Sequence, residues 1–225
     1  MFYMYAVVDG LPAAWHPPPA VIGPASVERQ PLGSLIVLGS ALDTVPAANP
    51  KTLALHHDVV ASALDARGVL PFRYGTAVPN AERDPWLEAQ RPALETALAQ
   101  VRGCVEMSVK LLRLDSGEAS RGPGEMELRA LADQLVSRAG IEHWRYRPSG
   151  TGGNVVASVA FLLPRPRLAD FLARIAPIAS RAVGIAVVPT GPWPAYSFVP
   201  AFDRLPLAVA PPTPPPSSSA GRAAG

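Results

Sequence analysis

Residues 104–114, CVEMSVKLLRL, and residues 125–140, EMELRALADQLVSRAG, decide how this chain reads. The first is an apolar run of strand character, whereas the second repeats apolar residues at helical spacing and stops at Gly140. Two more strand-like runs follow, HWRYRP at 143–148 and NVVASVAFLLP at 154–164, separated by the glycine-rich turn SGTGG. A second helical pattern, PRLADFLARIAPIASRAV at 166–183, has Pro166 near its start and Pro177 disturbing its end, and GIAVVP at 184–189 adds a final strand. The order βαββαβ predicts a ferredoxin-like domain over residues 103–200.

The residues before it predict a different arrangement. Tyr3 to Val8 and Leu35 to Leu38 have strand composition, and the proline-rich 13–33 between them predicts a surface excursion with a short strand around Val27. Asn49 followed by Pro50 starts a helix in which Leu53, Val59, Val60, Ala63 and Leu64 recur at helical spacing until Gly68. VLPFRYG, 69–75, predicts a strand that Pro71 relegates to a sheet edge. Asp84 and Pro85 repeat the helix-start chemistry, and Leu87, Leu94, Leu98 and Val101 form a stripe that Pro92 should kink or restart. The fold class is therefore α+β: a mixed α+β domain over 1–102, the ferredoxin-like domain, and a disordered Pro/Ala/Ser tail over 201–225.

Composition narrows the function. With 225 residues and 48% hydrophobic side chains there is material for a sizeable core. The 20 basic and 18 acidic residues nearly cancel, so no general field draws in nucleic acid. Cys104 is the only cysteine, which fits a reducing, cytoplasmic setting. The opening MFYMYAVVDG reads as a strand rather than a signal peptide, and the apolar run 155–163 is about half the roughly 20 residues of a spanning helix.

The polar clusters yield little chemistry. His56, His57 and Asp58 are consecutive on a helix, where metal ligands would sit four apart, so they read as a helix surface with one semi-buried histidine. SGTGGN precedes a strand and lacks the Lys-Ser/Thr pair of a phosphate loop. Cys104, Glu106 and His143 are the one set from which an enzyme or small-molecule sensor could be built on the ferredoxin-like domain, yet no nucleophile signature surrounds them. Arg145, Arg147, Arg165 and Arg167 would suit RNA, but the central strands lack a stacking platform. No catalytic residue, cofactor or metal is expected.

Aromatic residues concentrate in TGPWPAYSFVP, 190–200. Pro192 and Pro194 hold the chain extended and cannot donate to a ladder, so the segment must lie at an edge, in a crossing loop or against a partner. Strand-like alternation from Ala195 to Val199 would put Tyr196 and Phe198 on one face. Trp193, Tyr196 and Phe198 then either glue the halves of the chain together or form a rigid anchor for another protein.

GPWPAYSFV at 191–199 resembles the C-terminal signature of the gas vesicle GvpL/GvpF family, Gly-Pro-Trp-Pro-Pro-Tyr-Ser-Phe, with Ala195 in place of the second of its later prolines. YAVV and GLP near the start, VLPFRYGT at 69–76 and VRGCVEMSVKL at 101–111 are similar to further family segments, the last containing Gly-x-x-Glu-x-x-Val-Lys. The resemblance implies a nonenzymatic assembly factor or minor structural protein of gas vesicles, located with them in the cytoplasm. It also implies that the chain binds the hydrophobic shell subunit GvpA, limits its aggregation during nucleation, and contacts other accessory gas vesicle proteins. The candidate protein-binding residues are Phe72, Tyr74, Trp193, Tyr196 and Phe198.

Overall fold

The computed structural model of the chain describes residues 1–114, 124–149, 154–180, 182 and 184–200. The expected tail and most of the SGTGG turn lie outside these residues. The fold is α+β, with two antiparallel sheets and four helices among the described residues.

The first sheet is organised by β1 (Phe2–Asp9), all eight of whose residues are buried. It lies between β3 (Leu35–Ala41) and β4 (Gly68–Pro71), with β2 (Glu28–Leu32) outside β3 and the two-residue β5 (Ala77–Val78) pairing with the start of β1. Between the pairs Met4–Gly39 and Ala6–Leu38 the register shifts, leaving Tyr5 as an extra residue. As a result Phe2, Met4 and Val7 join one apolar cluster, while Tyr3, Tyr5, Ala6 and Val8 join the other.

Each face is covered by a helix. On the tyrosine face, α1 (Pro50–Ser62) packs Val59 and Val60; Asn49 caps it, accepting from the Thr52 amide at 3.0 Å while the Asn49 amide donates to Thr52 Oγ1 at 3.0 Å. On the other face, α2 (Arg83–Val101) packs Leu87, Leu94, Leu98 and Val101. The expected Asp84 cap does not form: a 3-10 turn over 80–82 leads into Arg83, and Asp84 accepts instead from the Arg83 guanidinium at 2.8 Å. Pro92 neither ends nor restarts α2, which continues to Val101.

The proline-rich stretch departs from the expected surface excursion. Its Trp15 and Ile22 are buried in the tyrosine-face cluster, and Val27 packs with them. The Trp15 indole N–H donates to the Ser62 carbonyl at 3.0 Å, satisfying an end group of α1. That is a physical reason for α1 to finish at Ser62, short of the expected Gly68; a turn over 63–65 follows.

The second sheet has the order β7-β8-β6-β9 and is built from β6 (Cys104–Arg113), β7 (His143–Pro148), β8 (Val155–Pro164) and β9 (Ile185–Trp193). Helices α3 (Glu125–Ala139) and α4 (Leu168–Ala179) cover the face lined by Val109, Leu111, Val159 and Phe161. The element order is βαββαβ as read from the sequence, and the central strands are β8 and β6. The last strand runs past the expected Pro189 to Trp193, and it is an edge strand, where Pro189 and Pro192 cost no interior ladder bond.

The two sheets are joined by apolar contact and by backbone. Leu162 of β8 and Ala195 belong to the same cluster as Phe2 and Leu98. The Gly103 amide donates to the Arg67 carbonyl at 2.7 Å, and the Arg165 amide donates to the Gly103 carbonyl at 3.0 Å. Buried Asp9 accepts from Arg67 at 2.7 Å and pairs with Arg102 at 2.8 Å.

Trp15→Phe keeps an aromatic ring but removes the donor to Ser62 and part of the buried indole, and is expected to lower unfolding free energy by about 1–2 kcal/mol. Trp15→Ala also opens a cavity and should cost about 3 kcal/mol or more. Urea unfolding measures both; equal stability of all three proteins would show that the excursion does not hold the helix end.

Candidate protein-docking site

The segment 190–200 separates its aromatics. After Trp193 the chain does not continue as an alternating strand: 196–198 form a turn in which the Phe198 amide donates to the Ala195 carbonyl at 3.0 Å. The reason lies on β6. Glu106, 6% exposed, accepts from the Ser197 amide at 2.8 Å and from the Ser197 hydroxyl at 2.7 Å, which draws the chain inward. Burial pushes the Glu106 carboxyl above its ordinary range, while the Ser197 donors and the Arg147 charge pull the other way. At Gly191, φ is +128° and a Cβ would stand 2.7 Å from Met107 Sδ and 2.9 Å from the Glu106 carbonyl oxygen, so only glycine suits this close passage. Tyr196 and Phe198 thereby end on opposite clusters rather than one face, Tyr196 on the tyrosine face and Phe198 against the cluster of α2, with the Arg145 guanidinium 5.6 Å from the Phe198 ring centre.

Tyr196 meets a set of buried rings around His56, which is 3% exposed. The Phe72 carbonyl can only accept, so at 3.0 Å His56 Nε2 carries the proton; Nδ1 is left to accept from the Tyr3 hydroxyl at 2.7 Å. Burial holds the His56 pKa down to about 4, so the imidazole is neutral and Nδ1 is an acceptor. Burial also raises the Tyr3 and Tyr196 hydroxyls above the ordinary tyrosine value. Tyr74, half-buried, donates to the Pro46 carbonyl at 2.9 Å and stacks edge-on with Tyr3 and His56. Phe72 is 1% exposed, inside the core of the first sheet. The strand expected to carry it ends at Pro71.

Trp193 stays at the surface, 36% exposed, its ring 5.1 Å from that of His57. One helical turn before His57, Leu53 is 46% exposed. Leu53, His56, His57 and Val60 form one stripe of α1, buried at Val60 and uncovered at Leu53, so an apolar strip emerges from the core and runs to the tryptophan. The sequence places Leu53 in the apolar stripe of α1 but does not show that this stripe reaches Trp193 through His57. The periodicity was visible, but where the cover of the helix ends was not.

Of the polar set weighed for catalysis, Glu106 is engaged by Ser197, and burial pushes the Cys104 thiol up, away from the reactive thiolate. Glu106 and His143 both lie opposite Leu162, on either side of β8.

The profile of a family described as "Gas vesicle synthesis protein GvpL/GvpF" matches residues 1–143 and 124–200. The chain belongs to the GvpL/GvpF family. It is 27% identical over 172 residues to gas vesicle protein F of Haloferax mediterranei, covering 74% of this chain and 78% of that one. With gas vesicle protein F2 of Halobacterium salinarum it shares 24% over 206 residues, 88% and 91% of the two chains. The fold matches the crystal structure of GvpF from an Anabaena species with a TM-score of 0.71 at 17% identity, over 88% of this chain and 94% of that one. For GvpF from Microcystis aeruginosa the TM-score is 0.67 at 16% identity, over 88% and 98%. Two of the segments by which the sequence resembles the GvpL/GvpF family, Gly103 to Lys110 and Gly191 to Phe198, meet through Glu106 and Ser197. Among the described residues no helix is long and apolar enough to cross a membrane.

Folded His56 stays neutral down to about pH 4, whereas the unfolded residue takes up a proton near the ordinary histidine value of 6.5. The unfolded chain therefore binds more protons across that window, and stability is lost as pH falls through it, by about 3 kcal/mol at the lower end. His56→Gln should flatten this difference relative to wild type; a parallel pH profile for the two proteins would contradict the buried neutral imidazole. Ser197→Ala is expected to cost about 1–2 kcal/mol and to raise the Glu106 pKa further, both measurable by urea unfolding and carboxyl-carbon NMR titration.

Proposed function

We propose that this member of the gas vesicle family is an assembly factor or minor structural protein that binds the hydrophobic shell subunit GvpA, limits its aggregation during nucleation, and contacts other accessory gas vesicle proteins. It acts in the cytoplasm and at the gas vesicle, without a catalytic step. Its two units are an N-terminal domain over 1–102 and a ferredoxin-like domain over 103–200.

The observation that carries this reading is the apolar strip of Leu53, His57 and Trp193 on a chain of this family. A half-exposed tryptophan held by a neighbouring ring has little freedom left to lose on binding, and such residues contribute disproportionately at interfaces. Tyr196, its ring 6.0 Å from that of His57, supports the surface from below, and Tyr74 steadies the His56 network beside it, while Phe198 packs on the α2 cluster away from this surface. Phe72 acts here only through the core, so its substitution by serine would unfold the support rather than probe docking.

Leu53→Ser combined with Trp193→Ala is expected to leave the melting temperature within a few degrees of wild type. It should weaken suppression of GvpA light scattering on the order of tenfold. Suppression by the variant equal to wild type would remove this surface from the reading. Absence of any wild-type complex with GvpA, by co-purification, would remove the reading itself.

A further inference from the structure

Each sheet of the described structure has two edges. Beyond β7, β2 carries Pro31 and β9 carries Pro189 and Pro192 within the strand, and the edge beside β1 is split between the four-residue β4, which ends at Pro71, and the two-residue β5, too short to template a partner strand. Proline on an edge strand discourages the pairing of another chain. In β7 the only proline is Pro148, its final residue, and among the described residues nothing pairs with its outer side.

The side chains of β7 are sorted by chemistry. Trp144 and Tyr146, opposite Phe161 and Val159, lie half-buried on the helix-covered face, with the Arg129 guanidinium 5.8 and 5.0 Å from their ring centres. His143, Arg145 and Arg147 alternate with them on the other face, all exposed. A strand added to this edge would meet basic groups on one side and aromatic rings on the other, residue by residue.

We infer that β7 is a β-augmentation site for an extended acidic partner segment in which acidic and apolar residues alternate. Charge complementarity selects this occupant. A second copy joined β7 to β7 would bring arginines against arginines, which destabilises a strand pair. The chain's own residues 201–225 contain one acid, Asp203, against Arg204 and Arg222. Single-stranded nucleic acid would need an open stacking surface, whereas Trp144 and Tyr146 lie half-buried beneath Arg129. The inference uses none of the Leu53–Trp193 surface and does not depend on shell-subunit binding.

The test is fluorescence anisotropy of the full chain with a labelled peptide of sequence Glu-Val-Glu-Val-Glu-Val-Glu, against the same peptide with Lys for Glu. The acidic peptide should bind at least about tenfold more tightly, and Arg145→Glu with Arg147→Glu should reverse the preference, with folding checked by melting temperature. N-methylating alternate peptide amides adds a variant-free arm: only every second amide faces the edge, so one of the two methylated sets should lose binding and the other keep it. Absence of binding, or equal tolerance of both methylated sets, overturns the inference. So does a thymidine oligonucleotide that outcompetes the peptide, or a dimer in sedimentation that the arginine substitutions dissociate.

Discussion

The two-sided burial of β1 is the constraint on which the rest of the structure depends. A strand whose eight residues are all withdrawn from water must be covered on both faces, and each large apolar or aromatic side chain so covered stabilises by a few kcal/mol. One helix cannot do this. Helix α1 covers the tyrosine face with help from Trp15 and Ile22, while α2 covers the other together with Leu162 and Ala195 from the later part of the chain. The second sheet is thus tied to the first through the core that β1 requires.

The aromatic segment after β9 completes that tie. The carboxylate of Glu106, withdrawn from water, needs donors, and Ser197 supplies two. Meeting that need folds 196–198 into a turn and sends the rings of Tyr196 and Phe198 in different directions, leaving Trp193 outside. A polar requirement on a central strand therefore determines which aromatic residue meets solvent. The neutral His56 beneath Tyr196 extends the same logic, its two nitrogens joining α1 to β1 and to the chain just after β4.

Most of the architecture was legible because it is written in local pattern. The βαββαβ order, the Asn49 cap with Pro50, the edge positions imposed by Pro71 and Pro192, and the α+β class all follow from spacing and backbone chemistry. The misreadings share a cause. Asp84 as a cap, a helix restart at Pro92, the proline-rich excursion as mere surface, and Tyr196 with Phe198 on one face were each reasonable locally. Asp84 was overridden by its neighbour Arg83 and the preceding turn, and the others by packing or by a contact from elsewhere: the stripe that holds α2 to the sheet, the cluster around Ile22, and Glu106. The candidate site was half visible, since Trp193 stands out by composition whereas Leu53 is indistinguishable by periodicity from buried Val60.

By itself, then, the amino-acid order determined the elements, the family and the stiffness of the aromatic segment, because hydrophobic period, caps and prolines act within a few residues. Only the tertiary structure decided which aromatics are exposed, which histidine is neutral and which strands lie at the sheet edges. Exposure and proton affinity depend on what lies across from a side chain, and Glu106 meets Ser197, like Tyr3 and His56, over a separation that no local pattern spans.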